Sequence, residues 1–264
     1  MSKDLCLYAK SPNLKIWLLK EEKLKTKYKN LTRVKSEKLA SFKILIFIHM
    51  AVTTDLRETL EHIKKPSTEL IDKYIKLFNN DLGYKCTDDA INKLFSVFPN
   101  NNEVEYILLK ISVINDLYST NIFATFKMAE HIQKLDIDRM LRVGNLDVVS
   151  QIATGHGIRR KKTNTELNLY SFATKYCSKH NQDIYAIYDS FVEKILIAFK
   201  RKFKFSDFKR TDLKDFRKFK RILDEFIKHF DLQNHSLREI DNFLWIYGKE
   251  KFPPSYARLN TQNK

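Results

Sequence analysis

Glycine and proline are scarce in this chain, and their scarcity limits the folds it can adopt. The 264 residues contain 5 of each, too few for the many turns of a β-sandwich or barrel. Apolar residues recur at helical spacing instead, as in 68–78 (TELIDKYIKLF), and no segment shows a convincing strand pattern. The sequence therefore predicts an all-α fold.

Helix starts and one central helix can be placed from local patterns. Helix N-caps are predicted where Ser or Thr precedes an apolar periodic run: Ser67 or Thr68, Thr87, Ser119 or Thr120, and Ser236. Glu239 follows Ser236 by three positions, which predicts a capping box. Residues 102–118 are apolar nearly all round, so we expect this helix to be central and buried.

The chain divides by composition near Pro66. Residues 1–35 are basic and only thinly apolar, and a long helical pattern runs from Ser36 to the proline. We therefore predict two parts: 1–65, a basic N-terminal arm plus a long helix, and 66–264, a helical domain.

Several protein classes are disfavoured by what the sequence contains. The longest apolar run, 44–52, is interrupted by His49 and is too short to cross a bilayer, so we expect no membrane association. Three distant cysteines contain no CxxC pair, which argues against a zinc site or an iron–sulfur cluster. Sparse cysteine also suits a reducing cytosol. We expect a cytoplasmic protein with no cofactor, nucleoid-associated if the source is bacterial.

The net charge of +16 predicts a polyanionic partner, either nucleic acid or an acidic membrane surface. A lysine-rich solvated surface without a partner is the plainer interpretation. One basic loop follows Gly155 and Gly157 and contains Arg159, Arg160, Lys161 and Lys162. We call these four residues the basic quartet.

The most informative stretch is 169–196, LYSFATKYCSKHNQDIYAIYDSFVEKIL. Lys175 stands among apolar neighbours, where desolvation would lower its pKa and free its amine as a nucleophile. Alternatively, its stem packs while its ammonium reaches water. Asp189 precedes Ser190 and Glu193, whose S-x-x-E pattern predicts a capping box, so Asp189 is expected at or next to a helix N-cap. A plain capping role is the alternative for this aspartate.

This stretch resembles the catalytic segment of the helix-hairpin-helix (HhH-GPD) DNA glycosylases, which include endonuclease III and the 8-oxoguanine glycosylases. Thr174-Lys175 is similar to the family's catalytic lysine element, and 186–192 (AIYDSFV) to the segment whose aspartate caps the next helix. Upstream, 108–132 is similar to the family's buried helix and DNA-plugging loop, which places Ser119, Thr120 and Asn121 near a lesion. The resemblance covers roughly 66–250. It departs from the family pattern in lacking a Gly-rich hairpin before Lys175, and Ala186 stands where proline is frequent.

The resemblance implies a fold and an activity. The fold would have two helical lobes with a cleft between them and no iron–sulfur cluster. The protein would act as a monomer on double-stranded DNA and excise a damaged or modified base by base flipping. Lys175 would be the nucleophile and Asp189 would stabilise the sugar cation, with AP-lyase activity left open. Residues implied for the base pocket are Phe172, Tyr185, Tyr188 and Trp245. Gly155, Gly157 and the basic quartet would grip DNA phosphates.

The substrate and the biological setting stay open at this point. An oxidised purine would indicate DNA repair, and a phage-type hypermodified base would indicate antiviral defence. The alternative to an enzyme is a non-catalytic basic helical nucleic-acid-binding protein, in which Lys175 and Asp189 form a structural ion pair. A third interpretation is a helical adaptor that binds a membrane or a protein through its basic segments.

Overall fold

The computed structural model describes residues 60–253. Within that range the chain is all-helical, as predicted, and contains no β-strand. The helices are α1 Thr68–Asn80, α2 Leu82–Val97, α3 Val104–Leu117, α4 Thr125–Leu135, α5 Asp138–Arg142, α6 Asp147–Ala153, α7 Tyr170–His180, α8 Ser190–Phe203, a 3-10 turn Arg210–Lys214, α9 Phe216–His229 and α10 Leu237–Lys251. The predictions for 1–35 and for the long helix after Ser36 fall largely or wholly outside the described residues.

Two of the predicted N-caps are confirmed. The Ser67 side chain accepts a hydrogen bond from the backbone N–H of Leu70 at the start of α1. Ser236 and Glu239 form the predicted capping box at the start of α10, with each side chain satisfying a backbone N–H of the first turn.

The other two predicted N-caps are wrong because side chains outside the Ser/Thr pattern set those helix starts. Asp81 caps α2, so Thr87 lies inside that helix. The α4 helix begins only at Thr125, because Asn115 binds the preceding loop and holds Thr120 outside the helix. Sequence patterns find helices more reliably than they find their first residues.

The α3 helix is not buried all round, which corrects the expectation for 102–118. Its Ile107, Ile111 and Ile114 are buried, but Tyr106 and Leu109 are more than two-fifths exposed. One face of α3 therefore packs inward, and the described part of the chain leaves the other face open.

The α7 helix is the most enclosed element. Nine of its eleven residues are buried, and it packs against α2, α3 and α6. The ring of Tyr176 meets Phe95 of α2 edge to face, with centroids 5.5 Å apart. Any polar group on α7 is consequently held in a low-dielectric setting, where an unpaired charge is costly.

A second aromatic core joins α1, α8, α9 and α10. Phe199 of α8 stacks on Tyr247 of α10 and also contacts Phe226 of α9. Gly248 allows α10 to approach the first turn of α8, because a Cβ at that position would lie 2.7 Å from the carbonyl oxygen of Phe191. This close approach fixes the start of α8, where Asp189 stands.

None of the helices between residues 60 and 253 is long and apolar enough to cross a bilayer.

Candidate functional site

The segment Tyr185–Asp189, which connects α7 to α8, is held at successive backbone groups. Thr174 Oγ1 of α7 accepts from the N–H of Tyr188 at 3.1 Å, and Ser171 Oγ donates to the Tyr188 carbonyl at 3.0 Å. From α10, Asp241 Oδ2 accepts from the N–H of Ile187 at 2.8 Å. The position of Asp189 is therefore set by side chains on two different helices, which bring it close to α7.

Lys175 lies on the face of α7 that meets this segment, and it is 6% exposed. Its Nζ donates to Ser171 Oγ at 2.9 Å, and Ser171 in turn donates to the Tyr188 carbonyl. The Nζ also lies 5.7 Å from the centre of the Tyr118 ring. One hydroxyl group thus links the lysine to the backbone next to Asp189.

The electrostatic setting of Lys175 favours its neutral amine. Burial lowers the pKa of the Lys175 ammonium group, and the charge of Asp189 opposes part of that shift. Among the described residues no carboxylate oxygen lies within the 4.0 Å of an ion pair with this Nζ. The snorkelling interpretation does not hold for this conformation, because the head group stays inside. The structural ion pair with Asp189 is not formed either.

Asp189 is the N-cap of α8. Its Oδ1 accepts from the N–H groups of Phe191 and Val192 at 2.8 and 2.9 Å. The predicted capping box of Ser190 with Glu193 is not formed, because Glu193 is buried and binds the hydroxyl of Tyr188 and the guanidinium of Arg210. Asp189 itself is only half-buried, and its charge acts on the buried Lys175.

A second buried lysine on α7 contrasts with Lys175. Lys179 lies one turn further along the same face, with its Nζ 5.9 Å from the centre of the Tyr118 ring. It forms an ion pair with Asp88 of α2, which also pairs with Arg238 of α10. Burial lowers the pKa of Lys179 to about 8, with Arg238 adding to that shift and Asp88 opposing it. Lys179 is thus committed to a structural ion network, whereas Lys175 is not.

The predicted DNA-plugging residues lie on an ordered loop that begins beside Lys175. Tyr118 ends α3, and Ser119 and Asn121 both adopt left-handed backbone conformations, with φ of 50° and 59°. The Asn115 side chain binds both the N–H and the carbonyl of Ile122 at 2.7 and 3.1 Å. These hydrogen bonds give the loop a defined conformation.

An almost fully exposed aromatic side chain on this loop was not predicted from the sequence. Phe123 is 96% exposed, although it follows the buried Ile122, which anchors the loop. No sequence pattern separates these two apolar neighbours. The Phe123 ring stands on the loop that begins at Tyr118, whose own ring centre is 5.7 Å from the Lys175 Nζ.

The basic quartet occupies an exposed hairpin-like loop that leads into α7. Its base is closed by the hydrogen bond from the Leu169 N–H to the Ala153 carbonyl at 2.9 Å, and its arms meet at an isolated bridge between Arg159 and Glu166. All four quartet side chains are exposed. Lys127 of α4 donates to the Gly157 carbonyl at 2.8 Å and so joins this loop to the α4 helix.

The two glycines at the start of this loop adopt left-handed backbone conformations, with φ of 77° for Gly155 and 67° for Gly157. In this conformation the Gly157 N–H donates to Glu166 Oε1 at 2.6 Å. The amide that was expected to meet a DNA phosphate is therefore occupied by a carboxylate of the same chain.

Three of the four residues expected to form the base pocket have buried side chains. Phe172, Tyr185 and Tyr188 are buried, and the Tyr185 hydroxyl donates to the carbonyls of Met140 and Asn145. Each of these three rings packs within the protein core instead of facing an open cavity. Trp245 is half-buried and meets the ring of Tyr84 edge to face at 5.0 Å.

A groove of about 570 Å³ lies at the C-terminal end of α7. Its lining includes Lys179, His180 and Gln182 at that end, with Asn92 of α2 and Arg142 of α5. Lys175 is not part of the lining, so the groove is not assigned to the Lys175 site.

Over residues 60–253 the protein is all-helical, with a buried lysine that has no ion-pair partner in that range and that feels the charge of an N-cap aspartate. The family model described as HI_0787_N, N-terminal domain, matches residues 70–184. A protein of Haemophilus influenzae, named "Uncharacterized protein", is 43% identical over 153 residues, which are 58% of this chain and 71% of that protein. The chain belongs to the family of this Haemophilus protein. No solved structure matches it.

Proposed function

We propose that this protein is a DNA glycosylase of the HhH-GPD type that uses Lys175 as its nucleophile. The observation that carries the proposal is the state of Lys175: a buried lysine with a lowered pKa and no ion-pair partner among residues 60–253, beside the carboxylate of Asp189. A protein that needed only a positive charge at this position would gain more from an exposed or paired lysine.

The chemistry follows from the two groups. The neutral Lys175 amine attacks C1′ of the sugar, and the C1′–N bond breaks, with its electron pair leaving on the base. Asp189 stabilises the positive charge that develops on the sugar and accepts the proton that the amine loses. Opening of the sugar ring then gives a Schiff base between Lys175 and C1′, from which strand cleavage can proceed.

The surroundings of the site suit a DNA substrate. The exposed basic quartet supplies positive charge on the loop that leads into the lysine helix, and the chain as a whole carries a net charge of +16. We assign Phe123, with Ser119, Thr120 and Asn121, to the space that a flipped base leaves in the duplex. The arrangement into two helical lobes around a cleft belongs to this proposal.

The substrate class within DNA stays as broad as the sequence left it: an oxidised purine or a hypermodified base. With Phe172, Tyr185 and Tyr188 buried, Trp245 is the pocket candidate of the original four that retains exposed ring surface. Its contact with Tyr84 offers a second aromatic ring against which a base could stack.

The experiment that tests the proposal is borohydride trapping on duplexes that carry different damaged or modified bases. The wild-type protein should give a covalent protein–DNA adduct with at least one duplex, and Lys175→Gln should give none while still binding DNA. Lys194→Gln is the matched control, because it makes the same change at an exposed lysine of α8.

The non-catalytic alternative makes a different prediction for the same samples. A nucleic-acid-binding module would bind every duplex, trap with none and release no base, and Lys175→Gln would behave as wild type. That result would end the enzyme proposal and leave the binding module. Absence of DNA binding in every variant would point instead to the adaptor interpretation.

A further inference from the structure

Asp241 is a buried carboxyl group that none of the mechanism above uses. It lies on α10 and is 3% exposed. Its Oδ2 accepts from the Ile187 N–H, two residues before Asp189. Its Oδ1 is buried, and no group in the described part of the chain hydrogen-bonds to it. A buried oxygen without a hydrogen-bond partner is rare, because it lowers the stability of the folded state.

The groups around Asp241 come from four places in the fold. Arg238 lies on the same helix, Lys179 on α7, Asp189 on the adjoining segment and Tyr118 at the end of α3. The two cations are already shared with Asp88, which pairs with both. Asp189 is the neighbour that an ionised Asp241 would repel.

We propose that Asp241 is a positioning residue for Asp189 that depends on one proton. As a neutral acid it holds the backbone at Ile187 without placing a second negative charge near Asp189. As a carboxylate it still accepts from Ile187 but repels Asp189, and this repulsion displaces the Asp189 carboxylate. This inference rests on the proposed function for its catalytic consequence, although its structural half does not.

The pairing of the cluster supports the neutral form. Lys179 and Arg238 both form ion pairs with Asp88. No donor in the described part of the chain meets the buried Oδ1 of Asp241, so an ionised Asp241 would have little to compensate its burial. Burial, with the charge of Asp189 adding to it, raises the pKa of Asp241 to about 7, while Ile187, Arg238 and Lys179 oppose that rise.

If Asp241 must be protonated, the rate of base release should fall as the pH rises above the pKa of Asp241. Loss of the Asp241 proton should lower base release by roughly tenfold for each pH unit above the midpoint, as for any required protonated group. Deprotonation of Lys175 acts in the opposite sense, so the wild-type profile should be bell-shaped. Asp241→Asn cannot ionise and can still accept from the Ile187 N–H, so it should keep activity and lose the alkaline limb.

The test has an arm that needs no catalysis. The carboxyl ¹³C shift of Asp241 and the amide shift of Ile187 are followed by NMR between pH 4 and 9 in the full-length protein. Both should move together with a midpoint near 7, and the movement at Ile187 should vanish in Asp241→Asn. A carboxyl midpoint near 4, or an Ile187 amide that does not follow it, would overturn the proposal.

The second arm measures base release against pH in wild type, Asp241→Asn and Asp241→Ala. The alanine variant lacks the acceptor and should lose activity by roughly a hundredfold, as expected for a misplaced catalytic group. The asparagine variant should restore that activity. An unchanged alkaline limb in Asp241→Asn would refute the positioning role.

The two arms separate two kinds of failure. If the wild-type protein releases no base while Asp241 and Ile187 titrate together, the glycosylase proposal fails and the coupling stands. If base release is normal but Asp241 titrates near 4, the positioning proposal fails alone. Should Asp241→Ala not fold, Asp241→Asn and the titration still decide the question.

Discussion

Replacing Asp241 by asparagine should change how the stability of the protein depends on pH. The folded state holds the Asp241 proton up to about pH 7, whereas the unfolded chain releases it near its ordinary value of 3.8. Between these values the folded state binds the extra proton, so the contribution to stability is complete below about pH 4 and is lost as pH rises to 7. A shift from 3.8 to about 7 corresponds to about 4 kcal/mol, at roughly 1.4 kcal/mol per pH unit.

The asparagine variant cannot ionise at this position, so its stability does not fall between pH 4 and pH 7 for this reason. Whatever constant offset the amide introduces, its free energy of unfolding relative to wild type should rise by about 4 kcal/mol between pH 4 and pH 8. For a protein of this size that is a relative gain in Tm of about 10 °C. Denaturant unfolding at several pH values measures the difference directly, and Asp183→Asn makes the same chemical change at an exposed position as a control.

The refuting result is a stability difference between wild type and Asp241→Asn that stays constant from pH 4 to pH 8. It would mean that Asp241 ionises at the same pH in the folded and unfolded states. The unpartnered Oδ1 would then need another explanation.

Three further predictions concern DNA binding and chemistry. Replacing the basic quartet by alanine should weaken binding to all duplexes about equally. In fluorescence anisotropy titrations, the slope of log K against log salt concentration should become shallower by about 3 to 4. An effect confined to one DNA sequence would show that the loop reads bases. Asp189→Asn should abolish base release, which a chromatographic assay of the free base measures. It should lower the free energy of unfolding by about 1 kcal/mol or less in thermal melts, because asparagine also caps helices well. Phe123→Ala should leave Tm unchanged, because Phe123 is 96% exposed. It should reduce base flipping, as measured by 2-aminopurine fluorescence. An unchanged fluorescence signal would show that Phe123 does not take part in base flipping.

The helices were predictable because each carries its own apolar period, but their starts depended on more distant groups. Ser236 and Glu239 form their capping box within one turn, so the sequence contained all the information needed. The same S-x-x-E pattern at Ser190 predicted a box that does not form, because Glu193 binds Arg210, which lies 17 residues away. A local pattern cannot show that a long-range partner competes for the same side chain.

In the candidate site, too, placements that depend on nearby residues were predictable and placements that depend on distant residues were not. Lys175 and Asp189 lie 14 residues apart on elements that a short segment must bring together, so their proximity was predictable. Asp241 lies 54 residues from Ile187, and its position on α10 looks like that of any helical acid. The sequence did not show that Phe172, Tyr185 and Tyr188 would be buried, because an aromatic side chain carries no sequence signal that separates a pocket wall from a core.

The central claim is that the Lys175 amine attacks the sugar, and peptide mapping of the trapped adduct tests it most directly. The borohydride-reduced complex is digested with protease and nuclease, and the peptide that carries the sugar remnant is sequenced by mass spectrometry. We expect a single modified peptide, with the remnant on Lys175. A remnant on the exposed quartet lysines, on the N-terminal amine or spread over several lysines would contradict it.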